Sequence, residues 1–304
     1  MVNTALTEST TVPPFAPAPT GDLHLGHVVN AIHVWGIARA FGGSVTVRIE
    51  DHDRTRSKPQ FEQSILDDLE WLGLEADDDS TTSLRCGPSP YRQSDNADRY
   101  EDALRQLEQQ GLVFPCKCTR REIAERAAHN ENRETPYPGT CRDSAVSLTE
   151  TPARRLRMEP AVVPFDDLLF GYLVQEPAQQ CGDLLLRDRH GNWTYQFAVV
   201  VDDMTHGVDV VIRGEDLLES TGRQIHLARL LGRTTPPQFI HHVLVRHPDG
   251  SKLSKSNRDT GIRELRRQGA TPRQLLGRAA YFAGLADADR PLDLNDIAEL
   301  FAAR

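Results

Sequence analysis

The sequence predicts an α/β fold with a parallel sheet and crossover helices. Segments with β-branched alternation and segments with helical spacing follow one another from residue 15, in the order strand, helix, strand, helix. The same pattern returns after residue 183, beyond a stretch of different character. Consecutive strands joined by helices favour a parallel sheet, because each crossover returns the chain in the same direction.

The first half of this pattern has clear boundaries. Residues 15–22 form a short extended segment broken by Pro and Gly, which leads into a predicted helix over Leu25–Phe41. The β-branched alternation of residues 45–49 predicts a strand. A second helix is expected over residues 57–72, with Gly73 as its C-terminal stop.

The second half surrounds a segment with weak periodicity. Residues 112–163 are rich in Arg, Glu, Pro and Cys, which indicates an insertion outside the sheet. The other expected elements are a helix over residues 96–110, apolar segments of the α/β pattern at 184–186, 197–201 and 208–212, a helix over 221–231, and two helices that begin near Thr271 and Leu294.

The composition indicates a folded protein without a membrane span. Of 304 residues, 38% are apolar and 26% are charged, which excludes a disordered chain. The longest apolar runs are far shorter than the ~20 residues of a bilayer crossing, and the N-terminus lacks the pattern of a secretory signal. Five cysteines in such a chain predict reduced thiols or a bound metal in a cytoplasmic protein.

The charge distribution limits where a nucleic acid could bind. The net charge is −9, so the field of the whole molecule repels phosphate and an RNA partner needs a local basic face. Residues 246–273 hold eight Lys or Arg against three acidic residues, and they are the candidate for this face. A solvated helix face would have the same composition.

Two histidines stand where an extended segment enters a predicted helix. The unpaired N–H groups and the dipole of a helix N-terminus favour an anion, and Gly26 would let a ligand approach the backbone. His24 and His27 lie one turn apart, so both rings can donate to phosphate oxygens. Two surface histidines at a helix start are the alternative interpretation.

The lysines are unevenly placed. The chain has four lysines against 31 arginines, and Lys252 and Lys255 lie within five residues of each other after a Pro-Asp-Gly turn signal. Ammonium groups on a loop make point-charge contacts to pyrophosphate. A solvated basic turn is the alternative.

The histidine and lysine motifs together resemble the paired ATP-binding signatures of class I aminoacyl-tRNA synthetases. Further ordered segments resemble glutamyl-tRNA synthetases; with the histidine motif they are residues 15–27, 47–54, 71–74, 197–203 and 211–216. The chain ends soon after the lysine motif, where a discriminating glutamyl-tRNA synthetase continues into an anticodon-binding region. It therefore resembles the stand-alone glutamyl-Q tRNA(Asp) synthetase family.

This resemblance implies an architecture. The expected fold is a Rossmann-type parallel sheet that carries the HIGH and KMSKS motifs, with a zinc-bearing insertion and a short helical C-terminal part. The expected divisions are the first half of the nucleotide-binding fold (1–111), the insertion (112–183), the second half of that fold (184–245), and the KMSKS loop with the helical segment (246–304), without an anticodon-binding domain.

The resemblance also implies an activity. ATP with Mg²⁺ activates L-glutamate without tRNA, and the glutamyl group is transferred to queuosine in the anticodon of tRNA(Asp). The residues expected to contact ATP are His24, Gly26, His27, Lys252 and Lys255. We expect a cytoplasmic monomer with no membrane partner.

Three cysteines form a candidate metal site. The close pair Cys116 and Cys118 with the distant Cys141 suits a tetrahedral structural zinc, whereas three thiols without metal are the alternative. The spacing leaves the fourth ligand open between Tyr137, His129 and water, and the resemblance implies Tyr137.

Three residues are candidates for binding the amino acid. Glu50, at the end of the first clear strand, can accept from an ammonium group, and Arg213 can bind a carboxylate through its fork. Tyr195 can add a hydroxyl group. The alternatives are an ion pair between Glu50 and a neighbouring Arg, and a core tyrosine. The resemblance assigns these residues to the glutamate site, together with Phe15, Ala16, Pro17 and Ala18.

The opening segment departs from the family pattern. The family begins with Arg-Phe-Ala-Pro-Ser, whose Arg and Ser contact the amino acid, and this chain has Pro14 and Ala18 in their place. Loss of the guanidinium removes a charge-assisted hydrogen bond. Activation of a different amino acid, ligation to an acceptor other than tRNA, a truncated glutamyl-tRNA synthetase and a non-enzymatic RNA-binding paralogue therefore stay open.

Overall fold

The computed structural model describes residues 14–126, 134–144, 152–245 and 261–303. The helices of these ranges are α1 Leu25–Phe41, α2 Pro59–Leu72, α3 Ser80–Cys86, α4 Ala97–Gln109, α5 Arg120–Arg126, α6 Pro177–Cys181, α7 Tyr195–Thr205, α8 Thr221–Leu230, α9 Ile262–Arg267, α10 Pro272–Phe282 and α11 Leu294–Ala302. The strands are β1 Val113–Cys116, β2 Ala153–Leu156, β3 Val163–Asp167, β4 Gly171–Gln175, β5 Leu184–Arg187, β6 Val210–Gly214 and β7 Gln238–His242. Among the described residues, no helix has the length and apolarity to cross a bilayer.

The sheet that carries the site is mixed, so the predicted all-parallel sheet is wrong. Its order is β4-β3-β7-β6, with β3, β7 and β6 parallel and β4 antiparallel to β3. The reason is the short connection between Asp167 and Gly171, because three intervening residues allow a hairpin but no crossover helix. Gly171 in this turn has a φ of 75°, a left-handed conformation that glycine adopts more easily than residues with a side chain.

The predicted strand over residues 45–49 pairs only through isolated bridges. Phe15 bridges Val47 and Ile49 bridges Arg92, both in parallel orientation. The backbone N–H of Phe15 donates to Thr46 at 2.8 Å. The opening segment and residues 45–49 therefore run side by side as extended chain, without a continuous ladder.

A second sheet lies within and after the predicted insertion. It is antiparallel, with the order β1-β2-β5. Residues 184–186, expected to resume the parallel sheet, belong to β5 of this antiparallel sheet instead. Strands β3 and β4 also fall between residues 112 and 183, yet they pair with the sheet of β6 and β7. The division of the chain into four parts stays a prediction.

Most predicted helices are confirmed, because their signals are local. Helix α1 has the predicted bounds, and α2 ends at Gly73, whose φ of 73° is left-handed. Helix α10 begins with a capping box at Thr271. Residues 197–201 lie in α7, because a short continuous apolar run fits a buried helix as well as a strand.

Helix α1 is the centre of the larger core and carries the histidine motif at its start. Trp35, on the buried side of α1, is fully buried. Gly36 allows close packing of α11, because a Cβ there would lie 2.6 Å from Cδ2 of Phe301. Helix α1 also contacts β6, so the helix that begins at the histidine motif lies against this sheet.

Candidate active site and metal centre

The two histidines of the motif form a reciprocal cap at the start of α1. His24 is the N-cap residue, and its Nδ1 accepts from the backbone N–H of Gly26 at 3.1 Å. The Nδ1 of His27 accepts from the backbone N–H of His24, also at 3.1 Å. Because each Nδ1 is an acceptor, a neutral ring carries its proton on Nε2. Each Nε2–H is thus the group that can donate to a phosphate oxygen.

Gly26 has an intramolecular role in this cap. A Cβ at this position would lie 3.0 Å from Cε1 and 3.1 Å from Nδ1 of His24, so a side chain would push the ring away from its capping position. The glycine therefore preserves the ring orientation, in addition to the ligand approach expected from the sequence.

The predicted ATP contacts Lys252 and Lys255 lie outside the described residues. The described chain resumes at Gly261, which forms an antiparallel bridge with His24. The backbone N–H of Ile262 donates to Leu23 at 2.8 Å. The chain that follows the lysine motif is therefore joined to the start of α1.

The described part of the basic stretch 246–273 includes α9. Arg263, Arg266 and Arg267 are exposed on this short helix, and the guanidinium of Arg266 lies 5.2 Å from the ring centroid of Trp71. The cationic surface expected from composition is thus partly present on α9.

The opening segment lies beside the candidate amino-acid site. Phe15 is buried and its ring packs on Trp35 with centroids 5.4 Å apart, whereas Ala16 and Ala18 are half-buried. The backbone N–H of Glu50 donates to the carbonyl of Pro17 at 3.1 Å. Segment 15–18 is therefore held next to Glu50 by its backbone.

Glu50 is part of a buried ion cluster. Its Oε1 accepts from Nη2 of Arg48 at 2.9 Å, and Nη1 of Arg48 donates to Asp203 at 2.7 Å. Burial raises the pKa of Glu50 above its ordinary value, although Arg48 opposes this shift. The alternative interpretation, an ion pair with a neighbouring Arg, is therefore realised, and it occupies one carboxylate oxygen of Glu50.

Arg213 is a buried cation with neutral partners. Its Nε donates to His241 at 3.0 Å, its Nη1 to Gln224 at 2.6 Å and its Nη2 to Thr221 at 2.9 Å. Within the described chain, no carboxylate lies within ion-pair distance of this guanidinium. A buried cation whose direct partners are all neutral is unfavourable, so this position favours an anionic ligand.

Tyr195 lies within electrostatic range of both Glu50 and Arg213. It is half-buried at the first turn of α7, and its ring centroid lies 6.1 Å from that of His52. Burial raises the pKa of Tyr195 to about 12, the charge of Glu50 adds to this rise, and Arg213 opposes it. Both charges act on one hydroxyl group, so the structure brings the three predicted residues into one site.

A cavity lies between Tyr195 and Tyr137. It has a volume of about 500 Å³ and is lined by Tyr195, Gln196, Arg155, Arg223 and Tyr137 among others. The cavity gives an acceptor group room beside the amino-acid site.

The three predicted cysteines converge. The sulfur atoms of Cys116, Cys118 and Cys141 all lie within 4.8 Å of one another, and those of Cys118 and Cys141 are 3.5 Å apart. The hydroxyl of Tyr137 lies 3.4 Å from Sγ of Cys116 and 3.8 Å from Sγ of Cys118. His129 lies outside the described residues. The cysteines can hold a metal ion, and the tyrosine hydroxyl points into the same cluster.

A glycine keeps Tyr137 at this cluster. Tyr137 forms a parallel bridge with Gly182, and a Cβ on Gly182 would overlap the carbonyl oxygen of Tyr137. The hydroxyl of Tyr137 also accepts from the backbone N–H of Cys141 at 2.8 Å.

Sequence reasoning allowed for an arginine beside Glu50 without identifying Arg48, and it missed Asp203 and the partners of Arg213. Arg48 and Asp203 stand inside the motifs that carry the family resemblance, so their position there was the available signal. His241 and Asp167 had no signal, because neither stands in a recognised motif.

Comparisons with known proteins identify the family of this chain. Residues 12–290 match the family described as tRNA synthetases class I (E and Q), catalytic domain. The glutamyl-Q tRNA(Asp) synthetase of Burkholderia cenocepacia is 43% identical over 93% of this chain and 91% of its own length. The glutamate–tRNA ligase 2 of Syntrophus aciditrophicus is 37% identical over 95% of this chain and 60% of its own length.

A solved structure has a similar fold. The glutamate-tRNA synthetase of Elizabethkingia anophelis superposes with a TM-score of 0.77 at 26% identity, over 95% of this chain and 65% of that protein. This chain thus spans just under two thirds of that structure. The resemblance predicted from the order of motifs is confirmed. This chain belongs to the family of class I tRNA synthetases (E and Q), whose catalytic domain matches residues 12–290.

Proposed function

We propose that this protein activates L-glutamate with ATP, without tRNA, and transfers the glutamyl group to queuosine in the anticodon of tRNA(Asp). The observation that carries the proposal is Arg213, a buried guanidinium with neutral partners, beside Tyr195 and Glu50. The 43% identity to a glutamyl-Q tRNA(Asp) synthetase over most of both chains supports the choice of substrates.

The amino acid binds through opposite charges. Three of the five N–H bonds of Arg213 are in use, which leaves one on each terminal nitrogen for a substrate carboxylate. Glu50 accepts from the ammonium group with its second carboxylate oxygen, and Tyr195 adds its hydroxyl. The backbone of residues 15–18, joined to Glu50 through the carbonyl of Pro17, would lie beside the bound amino acid.

The first step forms a mixed anhydride. The α-carboxylate of glutamate attacks the α-phosphorus of Mg²⁺-bound ATP, a carboxylate–phosphorus bond forms, and the bond to the leaving pyrophosphate breaks. His24 and His27 donate from Nε2 to phosphate oxygens, and Lys252 and Lys255 neutralise the pyrophosphate. Catalysis rests on positioning and charge stabilisation, without a covalent bond to the protein.

The second step is acyl transfer. A hydroxyl group of queuosine attacks the glutamyl carbonyl, AMP leaves, and an ester remains on the tRNA. The cavity beside Tyr195 accommodates the modified base, and the basic residues of stretch 246–273 contact the RNA backbone.

The cysteine cluster would hold a structural zinc. Two thiolates on a tetrahedral zinc lie about 3.8 Å apart, and a thiolate and an oxygen about 3.5–3.7 Å apart. The observed distances of 3.5 Å between Cys118 and Cys141, and of 3.4 and 3.8 Å to the hydroxyl of Tyr137, fit this geometry. Cys116, Cys118, Cys141 and Tyr137 would be the ligands, and the ion would tie β1 to the following loop.

Two other functions have specific support. Pro14 and Ala18, which replace the Arg and Ser of the family pattern, favour a different amino acid or an acceptor other than tRNA. The 37% identity to a glutamate–tRNA ligase favours aminoacylation of tRNA(Glu).

Pyrophosphate exchange tests the first step, and acylation tests the second. We expect ATP–pyrophosphate exchange with glutamate, among the twenty amino acids, in the absence of tRNA. We expect labelled glutamate on tRNA(Asp) that contains queuosine and none on tRNA(Asp) without it. Exchange with another amino acid only, or charging of tRNA(Glu) instead, would replace the proposed function with the corresponding alternative.

A further inference from the structure

The guanidinium of Arg213 is anchored on one side by a histidine. Its Nε–H donates to Nε2 of His241 at 3.0 Å, and its plane lies near the ring of Phe239, with 5.8 Å from Cζ to the centroid. Arg213 and His241 stand opposite each other on the parallel strands β6 and β7. The backbone pairing therefore fixes the distance between the two side chains.

The histidine is in turn anchored by a buried carboxylate. Nδ1 of His241 lies 2.6 Å from Oδ2 of Asp167, and both side chains are fully buried. Oδ2 also accepts from the backbone N–H of His241 at 3.1 Å, and Oδ1 accepts from the N–H groups of Leu169 and Phe170 at 2.9 and 2.8 Å. Asp167 thus has four donors and cannot rotate without losing several of them.

These contacts select one form of the histidine ring. Nε2 must be unprotonated, because it accepts from Arg213, so the proton of the neutral ring is on Nδ1 and is donated to Asp167. Burial lowers the pKa of His241 below its ordinary value. The hydrogen bond to Asp167 acts to raise this pKa, and the charge of Arg213 acts to lower it further. A protonated ring would face the cation across 3.0 Å.

We propose that Asp167 and His241 are positioning residues that hold Arg213 in the orientation needed to bind the substrate carboxylate. Asp167 sets the tautomer of His241, and His241 occupies the Nε–H of Arg213, so that the two terminal nitrogens face the ligand. This inference rests on the proposed role of Arg213 in binding the amino acid.

Two substitutions at one position separate the two bonds of the histidine. His241→Asn keeps a donor near Nδ1 for Asp167 and removes the acceptor for Arg213, whereas His241→Gln keeps an acceptor near Nε2. His242→Asn is the matched control, because His242 is also buried but points to Asn30 on α1.

We expect His241→Asn to raise the KM for glutamate in pyrophosphate exchange by about tenfold, with the KM for ATP and kcat within about twofold of wild type. His241→Gln and His242→Asn should stay close to wild type. Equal losses in all three parameters with a lowered Tm, or an unchanged KM for glutamate in His241→Asn, would overturn the proposal.

A measurement without substrate keeps this test separate from the proposed function. ¹⁵N NMR of the wild-type ring of His241 should show protonated Nδ1 and unprotonated Nε2 at pH 7, and the opposite or doubly protonated form refutes the positioning role. If the wild type shows this tautomer but no exchange with glutamate, the positioning of Arg213 stands. The identity of the amino acid is then what fails.

Discussion

Arg48 is a buried cation that neutralises the carboxylates around it in the candidate site. It is 2% exposed, and its guanidinium lies 2.9 Å from Glu50, 2.7 Å from Asp203 and 4.0 Å from Asp202. Burial acts to lower its pKa, but the charges of Asp203 and Glu50 outweigh burial and raise the pKa above the ordinary value. Arg48→Met keeps much of the side-chain length and removes the charge.

We expect this substitution to lower the free energy of unfolding by about 3–5 kcal/mol, the range for breaking a buried ion pair from one side. Arg39→Met is the control, because Arg39 pairs with Asp77 at the same 2.9 Å but both side chains are about one third exposed. Its loss should stay below about 1 kcal/mol. Urea denaturation at pH 7, followed by circular dichroism, measures both.

The pH dependence gives this prediction a second test. The pKa of Glu50 is already raised by burial, and removal of Arg48 raises it further. A carboxyl group whose pKa is higher in the folded state than in the unfolded state lowers the free energy of unfolding at neutral pH. This cost disappears at a pH low enough to protonate the group in both states. The difference between Arg48→Met and wild type should therefore shrink as the pH falls toward the ordinary pKa of glutamate. A loss no larger than that of Arg39→Met, or a difference that grows on acidification, would refute the reasoning.

Three other predictions concern the metal cluster, a buried carboxylate and the opening segment. Gly182→Ala should reduce the zinc content of the purified protein, measured by atomic emission, because the added Cβ displaces the backbone of Tyr137. Gly207→Ala is the control, because Gly207 has a similar φ of 63° but no atom near the position of its Cβ. An equal loss of zinc in Gly207→Ala would contradict the steric explanation. Burial, and after it the charge of Asp22, raises the pKa of Asp68 to about 6. The free energy of unfolding of Asp68→Asn should therefore exceed that of wild type by about 1–3 kcal/mol at pH 7, and this difference should disappear as the pH falls to about 4. Burial acts to raise the pKa of Asp67, but the hydrogen bonds from Arg85 and Gln63 together outweigh burial and lower the pKa, so Asp67→Asn should show no gain in the same urea titrations. Pro14→Arg should lower the KM for glutamate in pyrophosphate exchange by about tenfold, and an unchanged KM would mean that this position does not contact the amino acid.

Local signals account for the elements that could be predicted from the sequence. The glycine after α2 and the capping box at Thr271 act within a few residues, so the helix bounds follow from the neighbouring sequence. The antiparallel addition of β4 and the helical state of residues 197–201 could not be predicted in this way. Both depend on which partner covers an apolar segment, and periodicity does not identify that partner.

The candidate site also combines features with local sequence signals and features that depend on contacts between distant segments. The sequence by its local spacing predicted that His24 and His27 lie one turn apart at a helix start, and that three cysteines could share one ion. Only the tertiary structure decided what surrounds the charged residues: Arg48 meets Asp203, 155 positions away, and His241 meets Asp167, 74 positions away. Whether a buried charge is neutralised or left for a ligand depends on contacts between distant segments, and such contacts exist only once the chain has folded.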